Sequence, residues 1–225
     1  MNGDLVQIES HRRAGDSMPR LVTTLALAGL LSGLAIVGAF EATRPRIAAN
    51  QARALRAAVF EVVPGAAKLQ RLAWRDGRLQ AAAGDAGAEP SIYAGYGEDG
   101  RFLGYAITGE GAGYQDVIAL LYGFDPARRR VVGMRVLESR ETPGLGDRIY
   151  KDEGFVGAFR DLAVEPEIEL VTGGDATAAN QVDGLTGATI SSRAVVRIVN
   201  DANAEWLARL FPPGSEPPLA EEEKP

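Results

Sequence analysis

The sequence predicts an α+β fold: one N-terminal transmembrane helix followed by a mixed domain of strands and helices. Three observations carry that expectation. Residues 21–40 form an apolar run without a charge, strand-like alternation clusters between residues 93 and 172, and helix-periodic apolar residues return over 193–211. The chain has 225 residues, 24 Lys and Arg against 30 Asp and Glu, and a formal net charge of −6. That balance argues against a nucleic-acid partner, which requires clustered positive charge on one face.

Residues 1–20 read as a short N-terminal segment. The run LVTTLALAGLLSGLAIVGAF at 21–40 reads as a transmembrane helix, because about 20 residues at a 1.5 Å rise cross the ~30 Å hydrocarbon layer. It is longer than the roughly 7–15 apolar residues of a cleaved signal peptide. Arg12, Arg13 and Arg20 precede the span while Arg44, Arg46, Arg53 and Arg56 follow it, so charge alone does not set orientation. Long C-terminal parts are translocated largely regardless of charge, which leaves the N-terminus inside.

Residues 41–92 read as a membrane-proximal helix and connecting region. Pro45 suits a helix start, and Leu55, Val59 and Val62 follow at helical spacing up to Pro64. A short hairpin is expected over 68–79 around Asp76 and Gly77, then a loop at GDAGAEP, residues 84–90. Residues 93–211 read as the main domain. Two short runs joined near Glu98 to Gly100 are followed by the pair DVIALLYGFD and RRVVGMRVL, in which Val132, Met134 and Val136 alternate with Gly133 and Arg135. A short amphipathic helix is expected over 155–162, and a strand over 167–172 closed by Gly173 and Gly174. The last helix places Val195, Val199, Ala202, Trp206 and Leu210 on one face before Pro212 and Pro213 stop it. Residues 212–225 are polar and proline-rich and read as a disordered tail.

The chemistry available is narrow. Cysteine is absent and the single histidine, His11, precedes the apolar run, so thiol nucleophiles, thiolate metal sites and a Ser-His-Asp triad within the domain are excluded. Neither a G-x-x-x-x-G-K-[ST] phosphate loop nor a dinucleotide fingerprint occurs. One stretch stands out, DGLTGATISS at 183–192, which leads into the last helix. Ser191 or Ser192 would be a natural N-cap. A helix start offers unpaired N–H groups and a positive dipole end, suited to an anion. Gly187 and Ala188 leave the backbone uncovered, and Thr186 and Thr189 add hydroxyls. The same residues also make an ordinary turn before a capped helix with no ligand.

The segment D-G-L-T-G-A-T, residues 183–189, resembles the D-x-x-[ST]-G-A-[ST] motif at which FMN-binding domains are flavinylated. ESRETPGLGDRI, residues 138–149, resembles the E-T-P-G-L-G segment of the G subunit of Rnf electron-transport complexes, and the order of elements matches that family from the span to Leu210. The segment GYQD departs from the more usual G-Y-G-G, with Gln115 and Asp116 in place of glycines.

The resemblance implies a membrane-anchored flavoprotein subunit that relays electrons in an ion-translocating ferredoxin:NAD oxidoreductase. Its cofactor would be covalent FMN, joined to Thr189 as a phosphoester by a flavin transferase that uses FAD. Its partners would be the other membrane and redox subunits, and its place the bacterial inner membrane, single-pass, with the C-terminal domain on the periplasmic side. Glu141, Thr142, Pro143, Gly144 and Leu145 would line the flavin ring, with Gly113 and Tyr114 beside them. Tyr114 reads equally as a core aromatic. Asp183 would orient the transferase's metal or cap the loop, and Ser191 and Ser192 would donate to the phosphate or cap the helix. The alternatives are an unflavinylated assembly subunit and the related C subunit of sodium-pumping NADH:quinone reductase. No catalytic residue or resident metal is expected.

Overall fold

The computed structural model describes residues 17–82 and 89–219. His11, most of the expected loop at 84–90 and the end of the tail lie outside the described residues. The chain divides into two units, Met1–Asn50 and Gln51–Pro225.

The first unit holds most of helix α1 (Ser17–Val62), which is long and apolar enough to cross a membrane. Leu21, Leu25, Leu30, Leu34, Val37 and Phe40 are all exposed, as a lipid-facing surface requires. Pro45 was expected to open a separate helix. It lies inside α1 instead, where a ring nitrogen without a proton costs a backbone hydrogen bond.

The second unit takes in α1 from Gln51 onward and a seven-stranded antiparallel sheet. Its strands are β1 (Lys68–Arg75), β2 (Arg78–Ala81), β3 (Ser91–Tyr96), β4 (Phe102–Ala112), β5 (Val117–Asp125), β6 (Arg130–Glu138) and β7 (Leu162–Ala163), in the order β2-β1-β3-β4-β5-β6-β7. The expected hairpin at Asp76 and Gly77 is present, and both residues have the positive φ such a turn needs. Its two strands are part of the main sheet and not of a connecting region.

Between β6 and β7 lie α2 (Arg148–Lys151) and α3 (Glu153–Gly157), and after β7 a parallel pair, β8 (Glu169–Val171) and β9 (Gln181–Asp183), precedes α4 (Thr189–Trp206). The helix expected over 155–162 is thus displaced toward the N-terminus. It begins where the Asp152 side chain accepts from the Phe155 N–H, and it gives way to turns before Leu162 enters β7.

The sheet has two covered faces, as its period-two alternation dictates. Tyr93, Ala106 and Leu121 pack against Ala58, Val59 and Val62 at the end of α1. Their immediate neighbours Ile92, Tyr105, Ile107, Leu120 and Tyr122 belong to the larger core shared with α4. In β6 an extra residue interrupts the alternation: Gly123 pairs with Gly133 but Phe124 pairs with Val131. This bulge puts Val131, in place of Val132, in the core with Met134. The tail is also ordered further than expected. Tyr96 donates its hydroxyl to the Pro217 carbonyl at 2.7 Å, and Phe211 and Leu219 pack on the core.

Two glycine positions set how closely helices approach the sheet. A Cβ at Gly109 would stand 2.8 Å from Ile198 of α4, and one at Gly123 would stand 1.9 Å from the Val62 carbonyl oxygen. The second contact is with backbone, which cannot swing aside. Gly123→Ala is therefore expected to lower domain stability by at least about 1–3 kcal/mol, read as a lower urea midpoint of tryptophan fluorescence.

Candidate functional site

Three segments distant in sequence converge at the N-terminal end of α4: the β4–β5 turn, the loop after β6, and the loop after β9. The centre of the junction is the Glu141 carboxylate, 5% exposed. Its Oε1 accepts the backbone N–H groups of Tyr114 at 2.9 Å and Gln115 at 3.0 Å, and its Oε2 accepts the Ser191 hydroxyl at 2.5 Å. Burial pushes this carboxyl upward, the largest single effect. The Ser191 hydroxyl and the N–H groups of Gln115, Tyr114 and Asp116 together outweigh it and hold the group below the usual carboxylate range.

Space for the carboxylate is made by two glycines. A Cβ on Gly113 would come within 2.4 Å of Oε1, and one on Gly146 within 2.6 Å of Oε2. Gly113 therefore leaves room for Glu141, a demand that the expectation of a place beside the flavin did not include. The two residues that depart from G-Y-G-G make side-chain ties to the loop after β6. Gln115 accepts the Thr142 hydroxyl at 2.8 Å, and Asp116 faces Arg140 at 3.4 Å.

Thr142, Pro143, Gly144 and Leu145 form a tight turn closed by Leu145 N–H on the Thr142 carbonyl at 3.1 Å, with Gly144 at φ +79°. Asp147 locks it by accepting the Gly144 N–H at 2.8 Å while Lys151 reaches its other oxygen. The Lys151 ammonium is the main cause holding the Asp147 carboxyl below its ordinary range. The N–H groups of Gly144 and Leu145 are thus both engaged internally. The turn offers a ligand carbonyl oxygens and the Leu145 side chain, which is 53% exposed.

The loop after β9 turns at Thr186 and Gly187, with the Ala188 N–H on the Leu185 carbonyl at 2.9 Å and Gly187 at φ +82°. Asp183 ends β9, and its Oδ1 is buried without a hydrogen-bond partner among the described residues. Thr189 is the first residue of α4, half-buried, and its hydroxyl lies 3.4 Å from the Leu185 carbonyl. The N-cap is Ala188, with no side-chain cap. Ser191 and Ser192 were expected to cap this helix or meet a phosphate. They sit inside the first turn, 2% and 0% exposed. Ser191 is spent on Glu141, while Ser192 donates to the Ala188 carbonyl and accepts the Leu185 N–H.

The two loops touch. Leu145 Cδ2 lies 3.7 Å from where a Cβ on Gly187 would be, and Arg148 donates to the Thr186 carbonyl at 2.8 Å. Tyr114, 66% exposed, is no core residue. Sequence reasoning passed over Gly146, Asp147 and Arg148, although all three directly follow Leu145 in the motif already singled out.

Glu141 has a depressed folded-state pKa, so its contribution to stability is complete above the unfolded value near 4.3 and is lost as pH falls through the lower folded value. Glu141→Gln should cost about 1–3 kcal/mol at neutral pH. The gap between wild type and variant should stay constant above about pH 5 and narrow below about pH 4, as read by denaturant titration at each pH.

Residues 113–204, which include all of these segments, match the model of the FMN-binding domain family. The chain is 29% identical over 185 residues to the G subunit of the ion-translocating oxidoreductase complex of Methanosarcina acetivorans, covering 81% of this chain and 91% of that protein. It is 30% identical over 149 residues to the G subunit of the Na(+)-translocating ferredoxin:NAD(+) oxidoreductase complex of Acetobacterium woodii, covering 62% and 68%. Among solved structures, NqrC of Shewanella oneidensis superposes with a TM-score of 0.56 at 17% identity, covering 68% of this chain and 91% of that one, a likeness of fold. The sequence relationship and the matched domain agree with the order of motifs along the chain, which belongs to the family of G subunits of ion-translocating oxidoreductase complexes.

Proposed function

We propose that this chain is a membrane-anchored flavoprotein subunit that relays electrons through FMN joined covalently to Thr189, within an Rnf-type ion-translocating ferredoxin:NAD oxidoreductase. The observation that carries the reading is the place of Thr189. It opens an uncapped helix, beside a loop of small residues, against the turn that carries Leu145.

The residues present fit the cofactor at its phosphate end. The first N–H groups of α4 have no side-chain cap competing for them, and the dipole end favours a phosphodiester anion. Gly187 and Ala188 keep side chains away from the Thr189 hydroxyl. Leu145 and Tyr114 supply exposed apolar and aromatic surface for a flat ring. Glu141, Ser191 and Ser192 support the loops from within and leave the cofactor to others.

FMN supplies the redox chemistry when bound; the chain supplies position and a fixed electrostatic setting. A covalent tether removes dependence on free flavin, and a surface site suits a carrier that exchanges electrons with neighbouring subunits. The partners of this reading are the other membrane and redox subunits, with a flavin transferase during maturation. The apolar part of α1 would span the bacterial inner membrane and leave the C-terminal domain on the periplasmic side.

Co-expression of the full chain with a flavin transferase, followed by intact mass measurement, tests the attachment. Wild type should gain the mass of FMN less water, and Thr189→Ala should gain nothing. An unmodified wild type would remove the attachment and favour an assembly role.

A further inference from the structure

Arg193 follows Thr189 by four residues and lies on the same face of α4. A helical side chain leans toward the helix N-terminus and covers the turn before its own Cα, so Thr189 is within the range a side chain at 193 can cover. It is exposed, with no hydrogen-bond or ion-pair partner among the described residues. From the other side of the loop, Arg148 holds the Thr186 carbonyl at 2.8 Å and pairs with Asp152 at 3.1 Å. The first turn of α4 carries no acidic residue to neutralise Arg193.

We propose that Arg193, assisted by Arg148, is the charge partner of the phosphate that links Thr189 to the flavin, and that it favours formation of that link. This rests on the attachment reading above. In the attachment step the Thr189 oxygen forms a bond to the flavin-side phosphorus of FAD. The bond from that phosphorus to the bridging oxygen breaks, AMP departs with the electron pair, and the threonine proton passes to a base of the transferase. A phosphodiester with one negative charge remains. Negative charge gathers on the phosphoryl oxygens as the bond changes hands, and a guanidinium held nearby stabilises it. Arg148 plays the more structural part, since its guanidinium already fixes the loop. Arg193 is the one with free donors.

The test follows flavin incorporation into the full-length chain by intact mass over time, with transferase, FAD and Mg²⁺, for wild type, Arg193→Met, Arg193→Lys and Thr189→Ala. Arg193 is exposed, so its substitution should leave the thermal midpoint unchanged. At low salt Arg193→Met should be modified roughly tenfold more slowly, with the difference shrinking as salt rises, and Arg193→Lys should recover most of the rate. In the mature protein, the ³¹P resonance of the phosphodiester should move in Arg193→Met. A wild-type rate in Arg193→Met overturns the proposal. So does a slower rate with an unmoved ³¹P resonance, which would assign the arginine to transferase docking. Loss of modification in Thr189→Ala alone, with both Arg193 variants unaffected, would leave the attachment reading standing and this one refuted. An unmodified wild type would remove both.

Discussion

Everything near the candidate site depends on one buried carboxylate. Glu141 accepts from a turn 26 and 27 residues before it and from a serine 50 residues after it. An isolated charge in such a place would cost several kcal/mol, and the fold meets that cost with donors from two separate elements. The glycines at 113 and 146 are required by the same arrangement, because any side chain there would occupy the space of the carboxylate oxygens. One interaction thus sets the β4–β5 turn, the loop after β6 and the start of α4 relative to one another. Through the last of these it sets where Thr189 stands.

The sheet contributes distance and direction. Gly109 and Gly111 let Ile198 press against β4, so α4 lies close on one face while the end of α1 covers the other. With α4 fixed along its length by Ile198, Val199, Ala202 and Trp206 in the core, its first turn cannot drift. A hydroxyl at the first residue of a packed helix is held more firmly than one in an open loop. That geometry explains why a soft, small-residue segment such as 183–188 can still present one side chain in a defined place.

Much of this was legible in the sequence, and the parts that were not share a cause. The α+β class, the hairpin at Asp76 and Gly77 and the long last helix follow from local periodicity and turn chemistry. The two motifs fall on loops that the fold brings into contact. Ser191 and Ser192 were misread because a hydroxyl near a helix start is usually a cap; the partner of Ser191 is tertiary, and no local pattern announces a carboxylate 50 residues away. The bulge that brings Val131 inward is a property of how β5 pairs with β6, which one strand read alone does not contain. The tail read as disordered on composition, yet its contact with Tyr96 spans 121 positions. Arg193 was visible as a residue, but its meaning depends on the helix starting at Thr189.

The atom proposed to carry the flavin is the hydroxyl oxygen of Thr189, in the first residue of a helix without a side-chain cap. The most direct test locates the flavin within the chain. The protein matured with its transferase would be digested, the flavin-fluorescent peptide isolated, and the modified residue assigned by tandem mass spectrometry. The account predicts a single FMN phosphoester on Thr189. Flavin on Thr186 or on a residue outside the 183–192 segment, or a fluorescent protein whose peptides carry no covalent flavin, would contradict it.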